Sequence, residues 1–120
     1  MITISGRVPS KKNGKVMICR GNKPLIISNA KFQAWEHEQL ILLKDYKNKK
    51  QIPSVITTMT LSFYFPDNRR TDLTNKAESI MDLFVDAGLI EDDNWEVIPK
   101  LVLESKGVDK KNPRVEISFY

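Results

Sequence analysis

The chain has 120 residues and a net charge of +4, with apolar side chains at 41% and charged ones at 28%, ordinary usage for one globular domain spanning residues 1–120. Its longest aliphatic run is Leu40-Ile41-Leu42-Leu43, far short of the ~20 apolar residues of a membrane span, and MITISGRVPSKK holds no apolar signal core. Cys19 is the single cysteine, so composition excludes a membrane protein, a disulfide scaffold and a fibrous chain, and it makes a reducing cytoplasm the expected compartment.

Residues 1–8 alternate apolar and polar, the period of a half-buried strand, and Pro9 ends it. Ser10 to Gly14 reads as a loop. Lys15–Cys19 and Leu25–Ile27 read as strands of a hairpin around Arg20-Gly21-Asn22-Lys23-Pro24. Asn29 can cap a helix running to about Asn48, with Phe32, Trp35, Leu42, Leu43 and Tyr46 as its apolar stripe and Gln39 as the flaw. Residues 55–65 read as a long strand, Val55, Thr57, Met59, Leu61, Phe63 and Phe65 on one face, because the segment is rich in β-branched and aromatic side chains. Pro66 to Arg70 is a polar loop. A second helix is predicted over about 73–87, with Leu73, Ala77, Ile80, Met81 and Phe84 at helical spacing and Gly88 as its stop. Val97–Glu104 and Arg114–Phe119 close the chain as strands. The order β-β-β-α-β-α-β-β predicts an α+β fold, two helices on a mainly antiparallel sheet.

Charge is unevenly spread. Residues 1–35 hold seven bases and no acid, whereas 67–96 hold nine acids against Arg69, Arg70 and Lys76. A basic arm suits a polyanion, because neutralised phosphates release counterions. Clustered carboxylates repel one unless a cation sits among them, and Mg²⁺ takes carboxylate, water and phosphate oxygens together. A mixed-charge surface with no partner would show the same distribution. Asp72 lies where the loop becomes the second helix, and Asp92-Asp93 follow that helix by a short loop. The helix is about 22 Å long, so the return to the sheet must bring the pair back toward Asp72 for them to share a pocket. Taken singly, Asp72 is an N-cap and Asp92-Asp93 a solvated turn.

Together, Arg69-Arg70-Thr71-Asp72-Leu73-Thr74-Asn75, the Ile80-Met81-Asp82-Leu83 helix and Asp92-Asp93 resemble the RusA family of Holliday junction resolvases. The match is strong from Phe65 to Trp95, and the Pro9-Ser10-Lys11-Lys12-Asn13 loop and the element order extend it more weakly. The resemblance implies a homodimeric Mg²⁺- or Mn²⁺-dependent endonuclease of recombination and repair. Such an enzyme binds four-way DNA junctions and nicks two opposing strands symmetrically, in a bacterial or phage-infected cell. It makes Asp72 and Asp93 catalytic and metal-binding, with Asp92, the immediate neighbour, a further metal ligand or a partner to the ligands, Asn75 the end of the motif run and Asp82 an aspartate of the family helix. Two positions depart from the family: Thr74 replaces a second aspartate, and Glu78 stands where a lysine is often found. Glu78 is a candidate to supply the charge missing at Thr74. Lys76 is a candidate catalytic lysine although it lies about 200° around the helix from Glu78, and Lys106 is a second. The wet side of an amphipathic helix accounts equally for Glu78, Asp82 and Asp86.

Lys11, Lys12, Lys15, Arg20, Lys23, Arg69, Arg70 and Lys106 are the candidate DNA-binding residues, contacting phosphates rather than bases. Symmetric nicking of a two-fold junction favours a C2 dimer. A rival nuclease arrangement is the PD-(D/E)xK outline formed by Asp67, Glu104 and Lys106, and a module that binds nucleic acid without cutting remains a third reading. Phe32, Trp35, Phe63, Phe65 and Phe84 are expected in the core. His37, between two glutamates, is expected on the surface, and Trp95 is placed beside the acidic pair without a settled role.

Overall fold

The computed structural model describes residues 1–9, 15–20, 23–28, 30–48 and 52–120; for 15–20, 23–28, 47 and 48 only the backbone is described. The elements follow the predicted order: β1 (Ile2–Ser5), β2 (Lys15–Arg20), β3 (Lys23–Ser28), α1 (Ala30–Asn48), β4 (Met59–Phe65), α2 (Leu73–Asp86), β5 (Leu101–Val108) and β6 (Arg114–Phe119). Four strands form one sheet in the order β1-β6-β4-β5, and β2-β3 form a separate two-stranded ribbon. The fold is α+β. Two of the three pairings in the larger sheet are antiparallel, and β4–β5 is parallel because α2 carries the chain back over the sheet between them.

One face of the sheet is apolar by alternation. Ile2 and Ile4 of β1, Met59, Leu61 and Phe63 of β4, and Val115 and Ile117 of β6 are all buried, and the register sets Ile2 against Ile117, Ile4 against Val115 and Leu61 against Ile117. These residues make one core with Ala77, Ile80, Met81, Leu83 and Phe84 of α2. The alternate residues, Ser62, Tyr64, Glu104 and Glu116 among them, are only half-buried on the other face. Among the described residues no helix is long and apolar enough to cross a membrane.

Several boundaries depart from the sequence pattern. β1 stops at Ser5 rather than Val8, because Gly6 turns to φ +88° while its N–H donates to the Pro113 carbonyl. β3 includes Pro24, paired with Cys19; a two-stranded ribbon leaves every strand an outer edge, where a missing N–H is tolerated. On α1 the buried positions are Phe32, Gln39 and Leu43, with Trp35 and Tyr46 packed beside them. That 3-4-4-3 spacing keeps Gln39 on the inward stripe, as its expected polar flaw, and turns Leu42, expected on that stripe, to solvent. Asn29 lies outside the described residues.

The long strand begins at Met59, not Val55. The N–H groups of Thr57 and Thr58, and the Thr57 hydroxyl, all donate to the Tyr120 carbonyl. That clamp on the C-terminus replaces a ladder, and before it Ile56 is buried while Val55 is 78% exposed. The fifth strand begins four residues later than expected, since Val97 and Ile98 belong to a turn set by Asn94. The Asn94 side-chain oxygen accepts from Glu96 N–H and Val97 N–H, and its carbonyl accepts from Ile98 N–H.

Candidate active site

The first site element is the start of α2. Asp72 has extended backbone (φ −85°, ψ 117°) and caps the helix, its Oδ1 accepting from Thr74 N–H at 3.0 Å and from the Thr74 hydroxyl at 2.6 Å. The cap assignment thus holds, and it ties Asp72 to Thr74. At the other end, Gly88 (φ +72°) completes a Schellman stop: Gly88 N–H donates to the Val85 carbonyl and Leu89 N–H to the Phe84 carbonyl. Such a stop needs a left-handed residue, which glycine supplies without strain. Leu89 and Ile90 then turn into the core, and the chain after them returns to the helix at Asp93.

That return brings Asp93 back to α2. Asp93 shares a hollow with Thr74 and Glu78 over a floor that includes Met81, Leu101 and Leu103. Its carboxyl is pushed above the ordinary range, first by burial and then by its hydrogen bond to Asp92 and by the charges of Asp92 and Asp82. Asp92 is held low instead, chiefly by the Asp93 N–H that its Oδ1 accepts at 2.8 Å. The structure therefore gathers Thr74, Glu78 and Asp93 around one space, with Asp82 and Asp92 close enough to act on Asp93 and Asp72 joined through Thr74. Among the described residues, no three His, Cys, Asp or Glu side chains form a ready-made metal cage.

Lys76 is not in this hollow. It emerges from the opposite flank of α2, half-buried, and its ammonium donates to the Val8 carbonyl. Its affinity for a proton is lowered by burial and by Arg7 and Arg69. Ser79 is buried, and its hydroxyl donates to the Pro9 carbonyl at 2.8 Å. The chain after β1 is thereby docked on α2. Asn75 is half-buried.

Asp67 sits in a second pocket with Arg7, Arg69, Thr71 and Lys76. It accepts from Arg69 Nε at 3.2 Å and Nη2 at 3.1 Å, from Arg69 N–H, and from Arg7. Those bonds, Arg69's side chain foremost, hold its carboxyl down to about 2. In Arg69→Gln the Asp67 titration followed by NMR is expected to move up toward the ordinary carboxylate range; an unmoved midpoint would give the clamp to Arg7 alone. Glu104 pairs with Lys106 at 3.2 Å and accepts from Ser62 at 3.4 Å, and Ser62 belongs to the half-buried positions that alternate with Leu61 and Phe63. Of the rival arrangement, Asp67 is engaged by Arg69 and Arg7, whereas Glu104 and Lys106 pair with each other.

Arg70 is exposed beside Arg69. Lys15, Arg20 and Lys23 lie on the β2–β3 ribbon, Arg20 opposite Lys23 across its two-residue connection, and Lys11 and Lys12 fall outside the described residues. His37 is exposed as expected. Arg7 is the site residue that sequence reasoning missed. Its signal was faint: a cation placed directly after a glycine that ends a strand.

The family profile described as Endodeoxyribonuclease RusA matches residues 6–120. The chain belongs to the RusA endodeoxyribonuclease family, the family of Holliday junction resolvases that its Asp72-to-Asp93 motif resembles. No curated protein matches the chain.

Proposed function

We propose that this protein is a Mg²⁺-dependent resolvase, with Mn²⁺ as a substitute, that nicks opposing strands of four-way DNA junctions in symmetric pairs. The observation that supports this most is the meeting of Asp93 with Thr74 and Glu78 under the repulsion of Asp82 and Asp92. An oxygen-only donor set crowded with negative charge fits a hard cation. Mg²⁺ commonly takes one or two carboxylates and completes its shell with water and substrate phosphate, so it does not require a three-carboxylate cage.

Asp72 and Asp93 would hold the ion, with Asp92 beside Asp93. Glu78, on the wall that Thr74 shares, supplies the carboxylate that the threonine lacks. When bound, the metal lowers the pKa of a coordinated water and offsets charge on the scissile phosphate. Thr74 keeps Asp72 oriented through the 2.6 Å bond.

Arg69, Arg70 and the basic N-terminal third would track the phosphate backbone, giving selectivity for shape over sequence. With roughly five phosphates neutralised, log K is expected to fall with log salt at a slope near −4.5. A C2 dimer would set two such sites against a two-fold junction. The test is purified protein with a synthetic four-way junction and with linear duplex, each with and without Mg²⁺ or Mn²⁺. Paired symmetric nicks confined to the junction and dependent on metal are expected. Binding without nicking in every metal would replace the enzyme by a binding module.

A further inference from the structure

We propose that the pocket between the end of β1, the β4–α2 loop and the outer flank of α2 binds a DNA backbone phosphate other than the one cut. Its cations are Arg7, Arg69 and Lys76, and Asp67 is a resident anion that holds the arginines in place. The inference takes from the proposed function only that DNA is the ligand.

Arg7 and Arg69 bond one carboxylate here, and Lys76, whose ammonium donates to the Val8 carbonyl, lines the same pocket. Arg114, also on the wall, is engaged elsewhere: it donates to Asp109 at 3.0 Å and to the Asn112 carbonyl at 2.9 Å, and its guanidinium lies 3.7 Å from the Tyr64 ring centroid. Arg7, Arg69 and Lys76 therefore leave an excess of positive charge around Asp67. Burial first, and then Arg7 and Arg69, lower the proton affinity of Lys76. A second anion would offset the repulsion among the three cations.

The geometry of the resident carboxylate indicates which anion. Asp67 takes the planar fork of Arg69 through both Nε and Nη2 while Arg7 approaches the same Oδ2. Guanidinium groups donate to carboxylate and phosphate oxygens alike. The Asp67 side chain is 36% exposed and those of Arg7 and Arg69 40% and 71%, so an incoming phosphate can reach the cations from solvent. Lys76 and the Thr74–Glu78 wall lie on opposite flanks of one helix, about 10 Å across with side chains. A phosphate held at Lys76 is therefore separate from the scissile one, at least the width of α2 away.

The test is junction binding in EDTA, by fluorescence anisotropy across a salt series, so that cleavage plays no part. Arg7→Gln and Lys76→Gln are each expected to weaken binding and to flatten the slope of log K against log salt by about 0.9, one phosphate's worth. The double variant should flatten it by the same amount, since both cations serve one phosphate. Asp67→Asn should tighten binding about fivefold by removing a like charge at contact distance, a gain that misfolding cannot produce. Unchanged slopes in both single variants, or weaker binding by Asp67→Asn, would overturn the assignment. So would loss of metal-dependent nicking in Asp67→Asn with binding unaltered, which would make Asp67 a metal ligand. A wild-type protein that meets these binding expectations and never nicks would sink the nuclease reading and leave this site standing.

Discussion

Asp93→Asn and Asp72→Asn are each expected to reduce metal-dependent nicking of a four-way junction by more than about 100-fold, because even the outer partners of metal ligands cost 10- to 100-fold when removed. Junction binding should persist or tighten, since each change removes a charge that repels phosphate. Asparagine is the informative substitution at both positions. At residue 72 its side-chain oxygen can still accept from Thr74 N–H, and asparagine caps a helix as well as aspartate does, so lost activity reports on charge and not on an unravelled α2. A single-turnover assay beside a binding curve separates the two effects, and Mg²⁺-dependent nicking retained by both variants would refute the site.

A pH dependence follows for the same pair. Asp93 must be ionised to hold a cation, and its raised proton affinity moves that ionisation to higher pH than for an ordinary carboxylate. The Mg²⁺ concentration needed for half-maximal nicking should therefore rise as pH falls through the Asp93 titration. Asp82→Asn, which removes one of the charges pushing Asp93 up, should shift the profile to lower pH. A profile unmoved by that change would place Asp82 outside the electrostatic field of the site.

Phe84→Ala is expected to destabilise the fold by about 3–5 kcal/mol, the range for emptying a fully buried aromatic site, out of a total of about 5–15 kcal/mol for a domain. Phe84 is fully buried, its ring lies 6.2 Å from that of Phe119, and its carbonyl accepts Leu89 N–H in the Schellman stop. One residue thus joins α2 to β6 and anchors the turn that leads on to Asp93. Urea unfolding measures the loss. Ile41→Ala, at a position 57% exposed on α1, is the control and should stay within about 0.5 kcal/mol. A Phe84→Ala cost below about 1 kcal/mol would show that the core refills the space.

Much of this was legible in the chain. The alternation of Ile2 and Ile4, the 3.6-residue stripe of α2, its aspartate cap and its glycine stop are local signals, each readable within one or two turns of backbone. The charge pattern and the Asp72–Asp93 motif led to the family because they rest on residue types at fixed intervals. The missed boundaries have two causes. Val55 and Val97 both carry strand-like composition, but beside Val55 the backbone hydrogen bonds go to Tyr120, 63 positions away and unannounced locally, whereas at Val97 a local turn set by Asn94 overrides the composition.

Lys76 shows the limit most clearly. Residue type and neighbourhood make it a candidate for catalysis, whereas the docked chain at Val8 and Pro9 captures it on the far flank of α2, with Arg7 and Asp67. By itself the sequence determined which elements form, where α2 starts and stops, and the family to which the chain belongs, because caps, periodicity and motif spacing act over a few residues. Only the tertiary structure decided which carboxylates share a hollow, which cations surround Asp67, and that β4 and β5 run parallel. Those outcomes depend on how α2 returns the chain across the sheet, and that is fixed by burial of the helix against β4 and β6, an interaction between segments far apart in sequence.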